Sequence, residues 1–533
     1  MSGKEAKKET KKEANKETRQ DKPLPKEGPS KSLSIEDMAV FCKRKGLVYP
    51  SSEIYGGMAG FFDYGPYGTE LKNNLKNEWW KSHVQSREDI VGIDGSIISN
   101  PKVWVASGHA EQFGDILVED LKTHERYRAD VLIEEALKIQ ADGLSAEDLG
   151  KLIKENNVKS PKGNSLSEPR KFNLMFTTNV GPVQSEESKA YLRAETAQII
   201  FTEFKNVFET SRLKLPFGIA QMGKAFRNEI APRHFLFRCR EFEQMEIEYF
   251  IHPKKHGECP YIDEAMAEKL MVYSAEMQEK KQEAKEMTVK DALAKKVFKS
   301  PWHAYWLATE QKWFLNLGAR RENFRIRQHK KDELAHYSSD CWDLEYRFPW
   351  GWKELEGIAD RSDFDLQQHM KHSKKDMSIY DEETKEKVVP HVVAEPSLGV
   401  DRSFLVFMFD AYDDDKKRGN IVLHLHPKLA PIKAAVLPLV NKLEDKAKEV
   451  YGMLKNDLFC FYDRSGSIGR RYARMDELGT PFCVTVDFDS LEKEDVTIRE
   501  RETTEQARVK INDLKETLRK LVTGEMQFKD IKR

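Results

Sequence analysis

The spacing of apolar and polar residues predicts that the folded part of the chain begins with two helices. Ser34 is a favourable N-cap, and helical spacing follows it over 35–45. Glycines and prolines punctuate residues 56–68, which predicts turns rather than regular structure. A second amphipathic helix is predicted over 69–83. A glycine-rich segment is therefore expected to join the two helices.

The middle of the chain is predicted to consist mainly of strands. Residues 172–250 alternate apolar and polar side chains with period 2, apart from one predicted helix over 196–208. Two stretches depart from this pattern and are predicted to be insertions, at about 137–168 with one short helix and at about 261–330. The second insertion is predicted to open with a long helical stretch over 261–297.

An apolar helix and a charged linker are predicted to divide the chain near residue 418. The helix is predicted over 401–412 and the linker over 413–419. A fresh alternation then predicts strands at 421–425, 457–461, 482–487 and 495–499 and helices at 431–454, 466–477 and 504–523. The sequence therefore predicts three parts, namely a tail over 1–30, a first domain over 31–418 and a second over 419–533.

Charge and composition narrow the class of protein. The 533 residues hold 88 Lys or Arg and 89 Asp or Glu, which excludes a uniformly basic nucleic-acid coat. Residues 1–30 carry nine Lys or Arg, six Asp or Glu and few apolar residues, which predicts a disordered, solvated tail. No apolar run approaches the roughly 20 residues of a membrane helix, and no secretory leader is expected. Six cysteines without a CxxC pair favour a reducing, cytoplasmic protein.

The stretch 223–248 carries the candidate chemistry, since Walker-type, dinucleotide-binding, HExxH and G-x-S-x-G motifs are missing from the sequence. It is predicted to form two antiparallel strands joined by a loop around 231–236, with Arg227 and Glu229 on one face of the first strand. One face of the second strand then carries Arg238, Arg240, Phe242, Gln244 and Glu246. Such a face matches a ligand with an anionic part, a flat ring and an ammonium. An exposed ladder of ion pairs would give the same pattern.

Several motifs resemble those of class II aminoacyl-tRNA synthetases and occur in the order of that family. Phe226-Arg-Asn-Glu229 followed by Arg240-Glu-Phe242 resembles motif 2, and Glu395 to Arg402 resembles motif 3. Residues 60–68 and the helix after them resemble motif 1. Further segments are similar to glycyl-tRNA synthetases of the dimeric type, namely 103–109, 126–130, 168–176, 192–198, 354–357 and 359–365.

The resemblance implies an α+β protein, in which a class II antiparallel-sheet catalytic domain flanked by helices precedes a C-terminal α/β anticodon-binding domain. It also implies a homodimeric, cytoplasmic ligase that uses ATP and Mg²⁺ to activate glycine and transfers it to the 3′ end of tRNA(Gly). No membrane partner is expected. Trp79 and Trp80 in the following helix fit either the core or a subunit contact. Because motif 1 forms the two-fold interface of this class, the resemblance favours a subunit contact.

The resemblance implies roles for individual residues. Arg227 is expected to bind the α-phosphate of ATP and the glycine carboxylate, and Arg402 the γ-phosphate, so these two are the expected catalytic residues. Further ATP contacts are expected from Asn228, Glu229 on the adenine amino group, Phe237, Arg238, Phe242 stacked on the ring, Glu354 and Leu355. Glycine contacts are expected from Arg128, Glu195, Glu246, Glu395 and Ser397. Glu354 is also the expected ligand of Mg²⁺, which prefers carboxylate oxygen.

Two other functions fit parts of the sequence. A non-catalytic relative that only binds RNA is one, but the presence of Arg227, Glu229 and Arg402 argues against it. A class II ligase for serine or alanine is the other, but a pocket walled by carboxylates favours glycine, which offers no side chain to bind. In the C-terminal domain, cations and a ring suited to a tRNA loop are offered by Arg470, Arg471, Tyr472 and Arg474. A solvated helix face is the alternative interpretation of these residues.

The chain departs from the family pattern in one respect that concerns metal. Relatives commonly carry CxxC pairs in two places that correspond here to 118–125 and 160–165, which contain no cysteine. Since thiolate pairs are the usual ligands of structural zinc, we expect no zinc in this protein. A smaller departure is Ala194, where proline is usual, and we expect it to have little consequence.

Overall fold

The structure is a computed structural model and describes residues 33–531 except 140, 142, 143, 184 and 336. The predicted tail over 1–30 lies outside these described residues. The helices are Ile35–Arg44 (α1), Pro66–Trp80 (α2), Pro101–Ala106 (α3), His109–Gln112 (α4), Ala129–Leu137 (α5), Ala146–Glu155 (α6), Ala197–Ser211 (α7), Ala275–Glu279 (α8), Val289–Ala294 (α9), Pro301–Asn316 (α10), Phe364–Ser373 (α11), Val400–Ala411 (α12), Glu444–Leu454 (α13), Ile468–Glu477 (α14), Asp489–Lys493 (α15) and Ile511–Thr523 (α16). Within the described ranges, no helix is both long enough and apolar enough to cross a bilayer.

The strands fall into one large sheet, a second sheet in the C-terminal domain and several small ones. In chain order they are Val48–Pro50 (β1), Phe62–Tyr64 (β2), Ile90–Ile93 (β3), Ile98–Ser99 (β4), Gly114–Glu119 (β5), Arg126–Arg128 (β6), Arg170–Asn173 (β7), Thr177–Asn179 (β8), Lys189–Leu192 (β9), Phe217–Phe226 (β10), Glu241–Ile251 (β11), Lys269–Tyr273 (β12), Lys285–Thr288 (β13), Phe324–Gln328 (β14), Asp340–Phe348 (β15), Gly351–Asp360 (β16), Ile379–Asp381 (β17), Glu386–Val388 (β18), His391–Gly399 (β19), Tyr412–Asp415 (β20), Asn420–Leu423 (β21), Ala434–Pro438 (β22), Cys460–Tyr462 (β23), Phe482–Val486 (β24), Asp495–Glu500 (β25) and Gln506–Lys510 (β26).

The large sheet has nine strands in the order β13-β12-β14-β15-β16-β19-β11-β10-β3. Its central strands β15, β16, β19, β11 and β10 pair antiparallel, as the predicted fold class requires. Alternate side chains of β11, namely Met245, Ile247 and Tyr249, pack into the main core together with residues of α2, α10 and α12. The helices therefore cover one face of the central strands, and the side chains between these three point to the other face.

Helices with strong local signals form where the sequence predicts them. The Ser34 hydroxyl caps α1 by accepting a hydrogen bond from the Asp37 backbone N–H at 3.0 Å. Helix α12 matches the apolar stretch predicted over 401–412, and nearly all of its side chains are buried. These two elements are specified by residues close together in the sequence.

Both tryptophans at the end of α2 pack against the main core. Trp79 is 1% exposed and stacks on the His83 ring within the π-helical turn Lys81–Gln85. Trp80 packs against the same core, and its ring lies where a Cβ atom on Gly92 would stand. Trp79 is therefore a core residue, as the alternative interpretation has it, because the chain's own sheet and helices cover it. Trp80 is only partly buried, and its contact with a second subunit stays a prediction.

The predicted helical stretch over 261–297 is also wrong. It contains the antiparallel strands β12 and β13, which extend the large sheet, and only the short helices α8 and α9. In β12 the alternate residues Leu270 and Val272 are buried, whereas the residues between them face away from the core. Two buried positions are too few to show a period of 2 among the surrounding lysines and glutamates. The predicted insertion over 261–330 thus supplies strands to the main sheet.

A small α+β unit stands where the first insertion is predicted. Strands β6, β5 and β7 form its sheet, which packs on α5 and α6 around a core of Val118, Ala129, Leu132, Ile133, Leu149, Ile153 and Val158. The unit extends from β5 to β7, beyond the predicted range 137–168 on both sides. The reason is that β5 pairs antiparallel with β7, which lies about 55 residues later in the chain.

Hydrogen bonds join the two loops of this unit at 118–125 and 160–165, which contain no cysteine. The fully buried carboxylate of Asp120 accepts hydrogen bonds from the Ser160 hydroxyl at 2.6 Å and the Asn164 amide at 3.0 Å. It also accepts from the backbone N–H groups of Lys122 and Thr123, each at 2.9 Å. A carboxylate with four donors can thus hold the two loops together. The absence of zinc stays a prediction.

The C-terminal domain is a five-stranded mixed sheet in the order β23-β22-β24-β25-β26. Three sequence predictions for this region differ from the structure. The predicted linker over 413–419 lies in the β20–β21 hairpin, and the predicted helices over 431–454 and 504–523 each begin with a strand, β22 and β26. The two alanines and the leucine of β22 are good helix formers, so local preference conceals a strand that is buried along its whole length.

The carboxylate of Asp401, in the first turn of α12, joins the three segments that resemble motifs 1, 2 and 3. Its Oδ2 accepts a hydrogen bond from the backbone N–H of Glu243 in β11 at 2.8 Å. Its Oδ1 accepts one from the Tyr64 hydroxyl in β2 and lies 3.3 Å from Nζ of Lys72 in α2. Lys72 also lies 3.0 Å from the Glu243 carboxylate. Since Asp401 is buried, these contacts form in a low-dielectric environment.

We expect Asp401→Ala to lower the free energy of unfolding by about 3 kcal/mol, because it removes one partner of a buried charge pair and leaves a backbone N–H unpaired. Urea denaturation followed by tryptophan fluorescence would measure the loss. The control is Lys154→Ala, which breaks a pair with Glu168 whose side chains are 68% and 73% exposed. That change is expected to cost less than about 1 kcal/mol, and equal losses would contradict the proposed importance of Asp401.

Helix α2 approaches the loop before β1 so closely that a side chain at Gly68 has no space. A Cβ atom there would lie 1.8 Å from the Leu47 carbonyl oxygen, which belongs to the backbone and cannot turn aside. We expect Gly68→Ala to destabilise the catalytic domain by about 1–3 kcal/mol, measured by differential scanning calorimetry. Gly452→Ala in α13 is the matched control, since no described atom lies within 4 Å of a Cβ placed there. The control is expected to leave its domain unchanged or up to about 1 kcal/mol more stable.

Candidate active site

A cavity of about 310 Å³ lies on the open face of the large sheet. Strand register brings one row of residues together on its floor, namely Asp343 of β15, Gly357 of β16, Ser397 of β19 and Glu246 of β11. Gly357 and Ser397 are small, so the middle of the row forms a recess between two acidic residues. The volume is that of a site for a small molecule.

Arg227 and Phe242 meet at one end of the cavity, which both residues line. The Arg227 guanidinium lies between two rings, 5.3 Å from the centres of Phe113 and Phe242. Its Nε donates a hydrogen bond to the Ala194 carbonyl at 3.1 Å. Because a neutral carbonyl fixes the guanidinium, its positive charge remains available to an anionic ligand.

Arg402 is fixed in a similar way. Its Nη1 donates to the Glu354 backbone carbonyl at 2.9 Å and lies 3.4 Å from a carboxylate oxygen of the same residue. The guanidinium carbon lies 4.4 Å from the centre of the Phe237 ring. Contacts of this kind orient the guanidinium plane toward the cavity that Arg402, Glu354 and Phe237 all line.

Glu229, the residue expected to bind the adenine amino group, is paired with Arg238. The Arg238 Nε donates to Glu229 Oε2 at 2.7 Å, and its Nη2 lies 3.4 Å from Asp115 Oδ2. Both residues lie in the loop between β10 and β11, since β10 ends at Phe226 and β11 begins at Glu241. The prediction that they alternate on strand faces is therefore wrong.

Arg240 also does not point to the strand face on which the sequence predicts it to lie with Phe242. Its Nε donates to the Glu229 backbone carbonyl at 3.0 Å and its Nη1 to the Ala59 carbonyl at 2.9 Å. These bonds direct the guanidinium toward the glycine-rich segment that precedes β2. Arg240 thus holds two loops together and is not among the residues that line the cavity.

Three buried carboxyl side chains line the other end of the cavity, namely Glu195, Glu246 and Glu395. Glu246 accepts hydrogen bonds from the Ser397 hydroxyl at 2.6 Å and from the Thr196 hydroxyl. Glu395 accepts one from Arg361 Nη1 at 2.6 Å. The two ends of the cavity therefore differ in charge: Arg227, Arg238 and Arg402 line one end beside Glu229 and Glu354, whereas the three acids line the other end without a described Lys or Arg among the lining residues there.

The environment sets different protonation tendencies for these acids. Burial raises the pKa of Glu246, and the charge of Glu195 raises it further. Burial also raises the pKa of Glu395 well above its usual range, which the Arg361 charge only partly offsets. For Glu195 burial acts in the same direction, but His109 and Arg361 outweigh it, so its pKa is lowered. Glu195 is therefore the carboxylate that stays ionised most readily.

Two residues that sequence reasoning did not assign support the acidic end. Nε2 of His109 lies 3.2 Å from Glu195 Oε2, and its Nδ1 lies 2.8 Å from the Ser107 hydroxyl. Arg361 binds Asp365 through two nitrogens, at 2.7 and 2.9 Å. Both residues belong to segments that resemble the family, but the local pattern does not reveal which carboxylates they meet.

Carboxylate oxygens near Arg402 fit a divalent cation. Glu354 lines the cavity, and its side chain is 53% exposed, so its oxygens are accessible. Asp343, which also lines the cavity, accepts a hydrogen bond from His329 at 2.7 Å. Burial raises the pKa of Asp343 to about 6, and the charge of Glu354 contributes to this increase. An accessible carboxylate beside a guanidinium suits a Mg²⁺ that accompanies an anionic ligand, so the position of Glu354 fits its expected role.

Two of the expected site residues, Arg128 and Asn228, are not among the residues that line the cavity. Arg128 donates to Asp130 at 3.1 Å and lies 3.5 Å from Asp115, which in turn contacts Arg238. The Asn228 backbone N–H donates to the Leu174 carbonyl at 2.7 Å. The other expected residues line the cavity, namely Glu195, Arg227, Glu229, Phe237, Arg238, Phe242, Glu246, Glu354, Leu355, Glu395, Ser397 and Arg402.

In the C-terminal domain one of the candidate tRNA-binding cations is structural. Arg471 is 2% exposed and donates to the backbone carbonyls of Pro438 and Asp463, at 2.7 and 3.2 Å. Its interpretation as an RNA contact is therefore wrong. Arg470 and Arg474 lie on the same helix, α14, and are exposed.

Comparisons with known proteins agree with this geometry. Residues 176–410 match the family profile described as "tRNA synthetase class II core domain (G, H, P, S and T)", and residues 433–521 match "Anticodon binding domain". Glycine--tRNA ligases of Ruminiclostridium cellulolyticum and Acetivibrio thermocellus are 46% and 47% identical over 491 residues, 90% of this chain and 97% of each relative. That of Bacillus thuringiensis subsp. konkukian is 45% identical over 498 residues, 92% of this chain and 99% of the relative. The predicted family and α+β fold class are confirmed, and the chain belongs to the glycine–tRNA ligases, ATP-dependent class II aminoacyl-tRNA synthetases.

Proposed function

We propose that the cavity joins glycine to ATP as glycyl-adenylate, with release of pyrophosphate, and then passes glycine to the 3′ end of tRNA(Gly). The observation that supports this assignment is the separation of charge along one floor. Three arginines stand at the end suited to phosphates, and three acids stand at the end suited to an ammonium. A glycine carboxylate between the two ends meets the α-phosphorus of ATP.

The proposed chemistry asks the protein for position and charge rather than for proton transfer. The glycine carboxylate is already ionised, so its in-line attack on the α-phosphorus needs no general base. Arg227 binds both reacting anions, and Arg402 binds the outer phosphates and the negative charge that leaves with pyrophosphate. Mg²⁺ bound at Glu354 would supply further neutralisation of the phosphates. The Phe242 ring stacks on adenine. Glu229 accepts a hydrogen bond from the adenine amino group in place of its contact with Arg238.

Selection of glycine follows from the recess in the floor. Ser397 and Gly357 form its base, and the carboxyl groups of Glu195, Glu246 and Glu395 form its wall. These acids provide acceptors for an ammonium but no apolar lining for a methyl group. A methyl group on the substrate, as in alanine, would therefore push one of these carboxyl groups out of its hydrogen bonds. The loss of such a hydrogen bond costs more binding free energy than the loss of an apolar contact.

Amino-acid-dependent pyrophosphate–ATP exchange tests the proposed function. We expect exchange with glycine but not with alanine or serine, and we expect Arg402→Ala to lower the rate by about 10²–10³-fold. Arg470→Ala, an exposed change in the C-terminal domain, is the control and should leave exchange unaffected. Exchange with alanine or serine would contradict the glycine pocket, and no exchange with any of the three would contradict the ligase assignment.

Ser397→Ala separates the two substrates. The change removes a hydrogen bond to Glu246, and hydrogen bonds to charged groups contribute about 1.5–3 kcal/mol. We therefore expect the KM for glycine to rise about tenfold or more while the KM for ATP changes little. Steady-state exchange with each substrate varied in turn measures both constants. An equal rise in both would argue against the assigned role of Ser397.

We also propose that the protein works as a homodimer in the cytoplasm. The loop just before the segment that resembles motif 1 exposes Ile54 and Tyr55, each 88% accessible, next to Met58. Apolar side chains clustered on a loop of this kind are typical of subunit interfaces. The cytoplasmic location rests on the family's role in protein synthesis and on cysteines that are all free.

Sedimentation velocity tests the dimer. We expect the double variant Ile54→Asp with Tyr55→Asp to sediment as a monomer where the unchanged protein sediments as a dimer. Phe488→Asp with Leu491→Asp is the control, because these exposed apolar residues lie in the C-terminal domain. A dimer that survives the first change but not the second would place the interface elsewhere.

A further inference from the structure

A fourth buried acid lies behind the three that line the cavity. Glu248 is fully buried in β11, and neither of its carboxyl oxygens has a hydrogen-bond partner among the described residues. One carboxyl oxygen from each of Glu246, Glu248 and Glu395 lies within 4.8 Å of the others. Three buried acids therefore lie close enough together for their charges to repel strongly.

The cations near this group are too few to balance it. Arg361 is its buried guanidinium, and it is already bound by both oxygens of Asp365 as well as by Glu395. His109 faces Glu195 on the other side. The neutral polar groups that face the acids are Thr196, Gln198, Gln244, Tyr337 and Ser397. Arg193 is a second buried guanidinium whose charge interacts with Glu246, and its hydrogen bonds go to the backbone carbonyls of Lys224 and Gly95. The five carboxyl groups, namely Glu195, Glu246, Glu248, Asp365 and Glu395, still outnumber these cations, so we expect some of them to carry protons.

We propose that the pocket without substrate holds a proton on Glu246 or Glu395, and that the ammonium of bound glycine takes its place and releases the proton to solvent. This inference rests on the proposed function and specifies how the site recognises glycine. The positive charge that enters with the ammonium is balanced by the one that leaves with the proton. The ammonium then donates its own hydrogen bonds to the carboxylate that has been uncovered.

The geometry assigns the exchanged proton to the acids that line the cavity. Glu246 and Glu395 line it, so an ammonium can reach their oxygens, whereas Glu248 does not line it. Burial raises the pKa of all three, and the charges of their acidic neighbours raise it further. Among the described residues Glu248 has no hydrogen-bond donor, and the Arg361 charge offsets only part of the effect of burial, so we expect Glu248 to keep its proton whether or not glycine is bound.

Isothermal titration calorimetry of the full-length protein with glycine measures the exchange. At one pH, the binding enthalpy in phosphate, HEPES and Tris buffers varies with the ionisation enthalpy of the buffer, and the slope counts protons released. Near pH 7 we expect between about 0.5 and 1 proton to be released per glycine bound. At pH values below the pKa of the shared proton, we expect the affinity for glycine to increase as the pH increases, by up to about tenfold per pH unit. Glycine binding with no dependence on buffer or pH would overturn the inference alone. A lack of glycine binding would overturn the proposed function as well.

Two variants identify the source of the proton. Glu248→Gln replaces a neutral carboxyl by a neutral amide of the same shape, so we expect the proton count and the glycine affinity to stay unchanged. Glu246→Gln and Glu395→Gln, titrated to saturating glycine, are each expected to lower the count. A count that falls for Glu248→Gln and not for the other two would overturn the assignment. Because the count is first measured on the unchanged protein, poor folding of a variant does not remove the test.

Discussion

The geometry of the whole site depends on the buried carboxylate of Asp401. It accepts hydrogen bonds from Tyr64 and from the backbone of Glu243, and it pairs with Lys72, so one side chain fixes three segments far apart in the chain. Arg402 follows directly and reaches the cationic end of the cavity. A buried charge with several partners is satisfied in few arrangements, so this contact favours one relative position of the three motifs.

Two kinds of arginine can be distinguished by what holds them. Arg227 donates to a neutral backbone carbonyl, which orients it without cancelling its charge, and Arg402 donates to two such carbonyls beside the half-exposed carboxylate of Glu354. Arg361 instead donates hydrogen bonds to the carboxyl groups of Asp365 and Glu395, so its positive charge is balanced within the protein. A guanidinium of the first kind attracts an anion, whereas one of the second kind stabilises the acids around it. The groups that an arginine contacts therefore indicate whether it binds a ligand or stabilises the fold.

Much of this arrangement could be predicted from the sequence, for reasons that differ by residue. Helices α1 and α12 follow from a cap and an apolar run, which are local signals. Strand β12 does not, because it has two buried positions among many charged neighbours. Arg471 differs from Arg470 and Arg474 only in facing the core, which depends on where α14 packs.

The contacts at the acidic end of the cavity were also beyond what the sequence could predict, because they join residues far apart in the chain. Glu195, Glu246 and Glu395 could be proposed from motifs, whereas their contacts with His109 and Arg361 join segments separated by up to about 90 residues. Contacts at such separations arise from the sheet as a whole, and a local pattern carries no trace of them. The placement of Arg128 outside the cavity has the same cause, since Asp115 and Asp130 hold it within the small inserted sheet.

Helix α2 has neighbours on two sides. Lys72 and Lys76 face the Glu243 carboxylate, whereas the Asn74 amide donates to the carbonyls of Leu429 and Ala430, at the entrance to the C-terminal domain. Residues 72–76 of this helix thus contact both the catalytic core and the start of the C-terminal domain. Removal of the C-terminal domain would leave that helix with exposed, unpaired groups, so the two domains are not interchangeable modules. An exchange of anticodon-binding domains between relatives would have to carry the matching surface of α2 with it.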